Sequence, residues 1–160
     1  MLASLPPTQR QVIALHVFGE MTVRALYVAG QSYEVTGEGY GPEGEVRFEG
    51  KKAEAKNVAP LLELATILLG CNNAHLVPEE GTWKVIGDPT EGALLTAAAK
   101  AGLDVPAVRA DWPRIGEIPF DGGAKMMATT HRTGGHAVTF IKGAPESVIA
   151  LLPVADLDVA

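Results

Sequence analysis

The sequence predicts an α/β protein of the α+β type, with a largely antiparallel sheet of about six strands flanked by helices. Three observations point there. β-Branched and aromatic residues crowd one early stretch and three consecutive runs in the last third. Two central stretches carry apolar residues at three- and four-residue spacing. The resulting order, β-β-α-β-α-β-β-β-α, lacks the strict alternation that a doubly wound parallel sheet needs.

Residues 21–36 contain Thr22, Val23, Leu26, Tyr27, Val28, Tyr33, Val35 and Thr36, which read as two strands turning near Gly30. Five of the 18 glycines fall between Gly30 and Gly44, and residues 37–44 read as loop, followed by a strand-like Val46-Arg47-Phe48. From Ala59, the residues Leu61, Leu62, Ala65, Leu68 and Leu69 mark an amphipathic helix that ends near residues 70–73. Residues 81–86 form a short strand. Asp88 as N-cap, Pro89 at the first helical position and Glu91 in the first turn open a second helix, which passes through Ala93, Leu94, Ala97 and Ala98 and stops at Gly102. Residues 115–120, 125–131 and 136–142 read as three strands, the last two joined across Thr133-Gly134-Gly135 as a hairpin. Lys142-Gly143-Ala144-Pro145-Glu146 then leads into a short helix reaching Leu152.

A chain of 160 residues is one ordinary domain, which excludes two separate catalytic domains. Its formal charge of -6 argues against a nucleic-acid footprint, so an anionic ligand must be met by a few placed cations. The single cysteine, Cys71, rules out an internal disulfide framework and a cysteine-rich zinc site, and fits a reducing compartment. The longest apolar stretch, residues 59–71, is interrupted by Glu63 and falls short of the about 20 residues that span a bilayer. No membrane contact is expected of this chain. Arg10 after Pro6-Pro7, and His16 within the apolar run at residues 12–18, do not fit a signal peptide.

Several motifs are decoys. Gly39-Tyr40-Gly41-Pro42-Glu43-Gly44 spells G-x-G-x-x-G, but that motif binds pyrophosphate only where its last glycine opens a helix, and here a strand-like run follows. Glu38, Glu43 and Glu45 would also repel phosphate. Gly50-Lys51 has Glu45 where a phosphate loop needs its first glycine and Lys52 where it needs Ser or Thr. Asp156-Leu157-Asp158 imitates an aspartyl-phosphate motif at the frayed end of the chain. His16, His75, His131 and His136 take no tight metal spacing, and His131 and His136 merely flank the hairpin turn, so no metal site is expected.

Three clusters carry more: Gly87-Asp88-Pro89-Thr90-Glu91-Gly92-Ala93-Leu94-Leu95, Ile118-Pro119-Phe120-Asp121-Gly122-Gly123-Ala124-Lys125-Met126-Met127 and Phe140-Ile141-Lys142-Gly143-Ala144-Pro145-Glu146. Singly, they are a capped helix start, a strand with its turn, and a strand-to-helix joint. Together they offer a first-turn carboxylate, an aromatic at a strand end and two lysines at strand ends. A purine needs a π-face and an acceptor for its amino group, and a triphosphate needs ammonium charge.

With these clusters in order, the chain resembles the nucleotide-binding (N) domain of a P-type cation-transporting ATPase, closest to the Ca²⁺/Na⁺,K⁺-type branch. Met21-Thr22-Val23, Tyr33-Glu34-Val35-Thr36-Gly37 and the turn at residues 39–44 resemble that family's opening strands, and Leu64-Ala65-Thr66 with Cys71-Asn72-Asn73 its central helix. The resemblance covers residues 20–152. It implies a nucleotide-binding domain over residues 19–153, between an unassigned segment 1–18 and a tail 154–160.

The resemblance further implies that Phe120 stacks on adenine and that Glu91 meets its exocyclic amino edge. Lys142 would sit beside base and sugar, Lys125 would reach toward the phosphates, and Gly143 would let the backbone approach the nucleotide. ATP would arrive with Mg²⁺ in the full pump, with the phosphorylation and actuator domains as partners. The chain would be a cytoplasmic domain of a membrane-embedded pump, soluble when isolated.

There are departures from the family pattern. Gly122 and Ala124 replace the family's Ser and Arg after Phe-Asp, a loss of one cation that bears on affinity rather than on the identity of the site. Residues 11–17 share nothing with the family's phosphorylated Asp-Lys-Thr-Gly-Thr-Leu-Thr segment. ATP binding without hydrolysis is therefore expected of this chain alone. The alternative is a truncated, non-catalytic interaction or regulatory module that no longer binds nucleotide.

Overall fold

The computed structural model describes residues 22–152. The expectations for segment 1–18, for Met21, and for Asp156-Leu157-Asp158 in the tail lie outside those residues. The described chain falls into two compact units, residues 22–111 and 112–152.

The first unit opens with an antiparallel sheet in the order β1-β2-β3-β4, comprising β1 (Ala25–Val28), β2 (Gln31–Val35), β3 (Val46–Phe48) and β4 (Lys51–Lys52). Alternation sets its register. Leu26 lies opposite Tyr33 and Val46 opposite Val35, and all four are buried. The loop between β2 and β3 is closed at its neck, where Thr36 N–H donates to the Glu45 carbonyl at 2.9 Å and Glu45 N–H donates to Thr36 Oγ1 at 2.9 Å. The G-x-G-x-x-G sequence therefore sits in a closed loop that returns to a strand and opens no helix.

A 3-10 turn (Ala55–Asn57) leads into α1 (Ala59–Gly70). Pro60 in its first turn suits a position whose N–H would have no intrahelical partner. Every residue from 64 to 70 is buried. All-round burial over this stretch makes it the core of the unit, and the wet face that the apolar spacing predicts is confined to the start of α1, at Ala59, Leu62 and Glu63.

The hairpin β5 (His75–Glu79) and β6 (Thr82–Ile86) follows, then α2 (Pro89–Lys100) and α3 (Val105–Asp111). Asp88 caps α2 as the sequence predicts, its Oδ1 accepting the Glu91 N–H at 3.0 Å. Asp104 caps α3 in the same way, accepting the Ala107 N–H at 3.0 Å. Arg109 of α3 donates to the Ala74 carbonyl at 3.0 Å.

The second unit is an antiparallel sheet in the order β7-β8-β9, made of β7 (Arg114–Asp121), β8 (Met126–Thr133) and β9 (His136–Gly143), followed by α4 (Pro145–Ile149). Its core holds Met127, Ala128, Thr129, His131, Phe140 and Val148. The fold class is as predicted. The strands number nine in three antiparallel sheets among the described residues: the strand-like run at residues 46–48 forms β3 outside the six counted, and β4 and β5 were not expected.

Candidate functional site

Glu91 stands in the first turn of α2, in the first unit, held from two sides. Its Oε2 accepts the Asn73 N–H at 3.0 Å, while its backbone N–H is taken by the Asp88 cap. Asn72, only 2% exposed, organises this corner with one amide. Its Nδ2 donates to the Leu68 carbonyl at 3.1 Å and to the Glu91 carbonyl at 2.8 Å, and its Oδ1 accepts the Ala74 N–H at 2.9 Å. The end of α1 is thereby tied to the start of α2. Asn72 is a positioning residue that sequence reasoning had noted only by resemblance; an asparagine just past a helix end was the available signal.

Gly92 completes the same corner. A Cβ there would overlap both methyls of Val85 on β6, so the α2 start lies against the hairpin at a distance only glycine allows.

The other four expected residues belong to the second unit and meet at one end of its sheet. Met126 pairs with Gly143, Met127 with Lys142, and Asp121 with Met126. The end of β7, the turn carrying Lys125 and the end of β9 are therefore neighbours. That turn is tightly bonded: Asp121 Oδ1 accepts the Ala124 N–H at 2.6 Å, and the Asp121 carbonyl accepts the Lys125 N–H at 2.7 Å. Lys125 occupies the left-handed region at φ 54°. Phe120 is 63% exposed.

Gly143 has a reason for its identity inside the chain. An added Cβ would lie 2.5 Å from both the Lys125 carbonyl oxygen and the Met126 Cβ. The absent side chain lets the β9 end close on Lys125, whose carbonyl accepts the Ala144 N–H at 2.9 Å. This junction brings Lys125 Nζ to 3.2 Å from Glu146 Oε1. The Glu146 carboxyl is held below its ordinary range, first by its own backbone N–H and then by the Lys125 ammonium.

Further along the same sheet, toward the β8–β9 hairpin, lies an aromatic core that sequence reasoning missed. His136 does border the hairpin turn, opposite Thr133. His131 does not: it is 3% exposed within β8, with Nδ1 at 2.9 Å from the Trp112 carbonyl and Nε2 at 2.8 Å from Thr129 Oγ1. A carbonyl can only accept, so Nδ1 carries the hydrogen. The Phe140 ring packs at 4.8 Å from His131 and 5.5 Å from Trp112. A histidine in an alternating strand gives no sign of which face it occupies; Phe140 was the available hint.

Residues 60–152 match the family model described as P-type ATPase, cytoplasmic domain N. The match covers more than half the chain and includes all five expected site residues. This chain belongs to the P-type ATPase N-domain family. It is 42% identical over 137 residues to the cation-transporting ATPase pma1 of Synechocystis sp., covering 81% of this chain and 15% of that protein. It is 35% identical over 128 residues to a calcium-transporting ATPase of Bacillus subtilis, covering 79% and 14%. With calcium-transporting ATPase type 2C member 1 of Bos taurus it shares 38% identity over 138 residues, covering 81% and 14%. This N domain thus spans about one-seventh of the length of the curated relatives it matches. No helix among the described residues is long and apolar enough to cross a membrane.

Proposed function

We propose that this N domain binds ATP and presents its γ-phosphate to an aspartate of a phosphorylation domain elsewhere in a cation pump. The observation that carries the reading is Phe120, a 63% exposed ring at the sheet end where Lys125 and Lys142 also lie. An exposed π-face beside ammonium groups suits a purine nucleotide, which brings one flat base and several negative charges. Phe120 stacks on the base, Lys142 lies beside base and sugar, and Lys125 reaches the phosphates. Glu91 accepts from the exocyclic amino group, and Gly143 keeps the strand end compact beside the nucleotide. Mg²⁺ travels with the phosphates. Phosphoryl transfer is mostly positioning and charge neutralisation, so a domain that only holds the nucleotide contributes to the rate.

NMR titration with ATP tests this. Resonances of Glu91, Phe120 and Lys142 should move, and Phe120→Ala should weaken binding by about 1–3 kcal/mol, the range for base–aromatic stacking. Its folding stability should change by no more than about 0.5 kcal/mol, because the ring is largely in solvent. Spectra unmoved at millimolar ATP would overturn the proposal. They would favour the second reading, an interaction module, which draws on Gly122 and Ala124 in place of polar side chains and on the half-exposed Ile115 and Ile118 of β7.

A further inference from the structure

We infer that Glu146 is a built-in competitor for the nucleotide's phosphates, holding the Lys125 ammonium until a polyphosphate displaces it and so setting how far the site prefers ATP over adenosine. The inference rests on the ATP-binding reading above and adds a residue and a selectivity to it.

Its basis is the construction of the β9–α4 junction. Met126 pairs with Gly143, the Ala144 N–H donates to the Lys125 carbonyl at 2.9 Å, and Gly143 offers no side chain to keep the two segments apart. Lys125 leaves the turn at φ 54°, stabilised by the bond from its own N–H to the Asp121 carbonyl. Pro145 then begins α4, and Glu146 follows in its first turn. The backbone on both sides of the pair is thus fixed, and Nζ meets Oε1 at 3.2 Å. Two long side chains on separately mobile segments would meet only at an entropic cost; here the segments are already bonded together.

The pair is also placed to be exchanged. The Lys125 side chain is 59% exposed and that of Glu146 67% exposed, so water solvates both partners and the pair holds only weakly. A triphosphate offers the ammonium more charge and more acceptor oxygens than one carboxylate does. The lysine stem can swing between these partners without moving the backbone. Adenosine makes no claim on Lys125 and leaves the pair intact. The inferred selectivity therefore resides in the phosphates alone.

Calorimetric titration of the full chain with ATP and with adenosine tests this, using wild type, Glu146→Gln, Lys125→Gln and the double variant. Glu146→Gln should tighten ATP about two- to fivefold, the range an exposed ion pair spans, and leave adenosine unchanged. In the Lys125→Gln background the same substitution should lose most of its effect on ATP. Equal ATP affinity of wild type and Glu146→Gln overturns the inference. Equal tightening of ATP and adenosine also overturns it, because Glu146 would then act on the pocket's shape. Undiminished tightening without Lys125 overturns it in favour of direct repulsion. Absence of ATP binding by every variant is a different result: it removes the ATP-binding reading, and the inference with it.

Discussion

Lys100 shows how far a residue's physics can depart from its place in the sequence. At the end of α2 it looks like an ordinary basic residue in the last turn, where a cation complements the helix dipole. Folding leaves it 5% exposed, and a Cβ added at Gly37 would lie 3.1 Å from its Nζ. Among the described residues no acceptor is within hydrogen-bond distance of this ammonium. Burial and then the Arg24 charge lower its pKa from 10.5, while Glu43 opposes them. Replacing it by an apolar side chain of similar length should help: Lys100→Met is expected to stabilise the fold by about 1–2 kcal/mol near neutral pH. The sign of its pH dependence follows from the depressed value. Below the folded-state pKa the lysine is charged in both states and the penalty is full; as pH rises through that value toward 10.5 the native lysine goes neutral and the penalty is lost. The gain from Lys100→Met, measured by urea unfolding, should therefore shrink as pH approaches 10.5. A gain that stays constant with pH would overturn this account. Burial of this kind is not legible in a sequence, because the loop that covers Lys100 comes from more than fifty residues upstream. Glu91 was legible for the opposite reason: its first-turn position follows from Asp88 and Pro89 beside it.

At the scale of elements, what could be read was what local chemistry fixes. The caps, the two longer helices and the three C-terminal strands all announce themselves within a few residues. The missed elements are short or carry mixed signals. Pro78 sits in β5, where a proline argues against a strand, yet a hairpin edge accepts it. Val105-Pro106 hid α3, although Asp104, two residues before Pro106, caps it at the same three-residue spacing as Asp88 caps α2. The hairpin turns share a rule: Ala29-Gly30, Glu49-Gly50, Glu80-Gly81 and Gly134-Gly135 each put both loop residues at positive φ, as a type I′ turn requires. Packing between elements was the part out of reach. Gly92 reads as a weak spot in a helix, since glycine costs about 1 kcal/mol relative to alanine there. The nearness of Val85 reverses that expectation. Gly92→Ala should destabilise by about 1–3 kcal/mol through overpacking, although its intrinsic helix propensity improves. Val85→Ala should recover most of the loss in a double-mutant cycle followed by thermal unfolding. If the two effects simply add, α2 does not depend on this contact.

For the whole molecule, the formal charge of -6 conceals a division between its units. Residues 112–152 hold four cations, Arg114, Lys125, Arg132 and Lys142, against Glu117, Asp121 and Glu146. Residues 22–111 hold eight cations against thirteen acids. Arg114 forms an exposed ion pair with Glu117 at 3.0 Å, and Lys125 forms one with Glu146 at 3.2 Å. The positive field offered to a polyphosphate is thus shallow and carried by few groups, against an acidic background. Two consequences should appear together in a thermal-shift experiment. ATP at about one hundred times its dissociation constant should stabilise the native state by about 2.7 kcal/mol, which for a chain of this size raises the midpoint by roughly 5–10 °C. That shift should shrink as salt is raised, because exposed ammonium groups are screened beyond about 10 Å at 0.1 M ionic strength and more closely at higher salt. Adenosine, which brings no phosphate for an ammonium group to hold, should give a smaller shift with little salt dependence. If both ligands lose their effect equally with salt, the phosphates are not the groups being recognised. If neither ligand moves the midpoint, residues 112–152 serve a protein partner, and the cations at the sheet end belong to that surface.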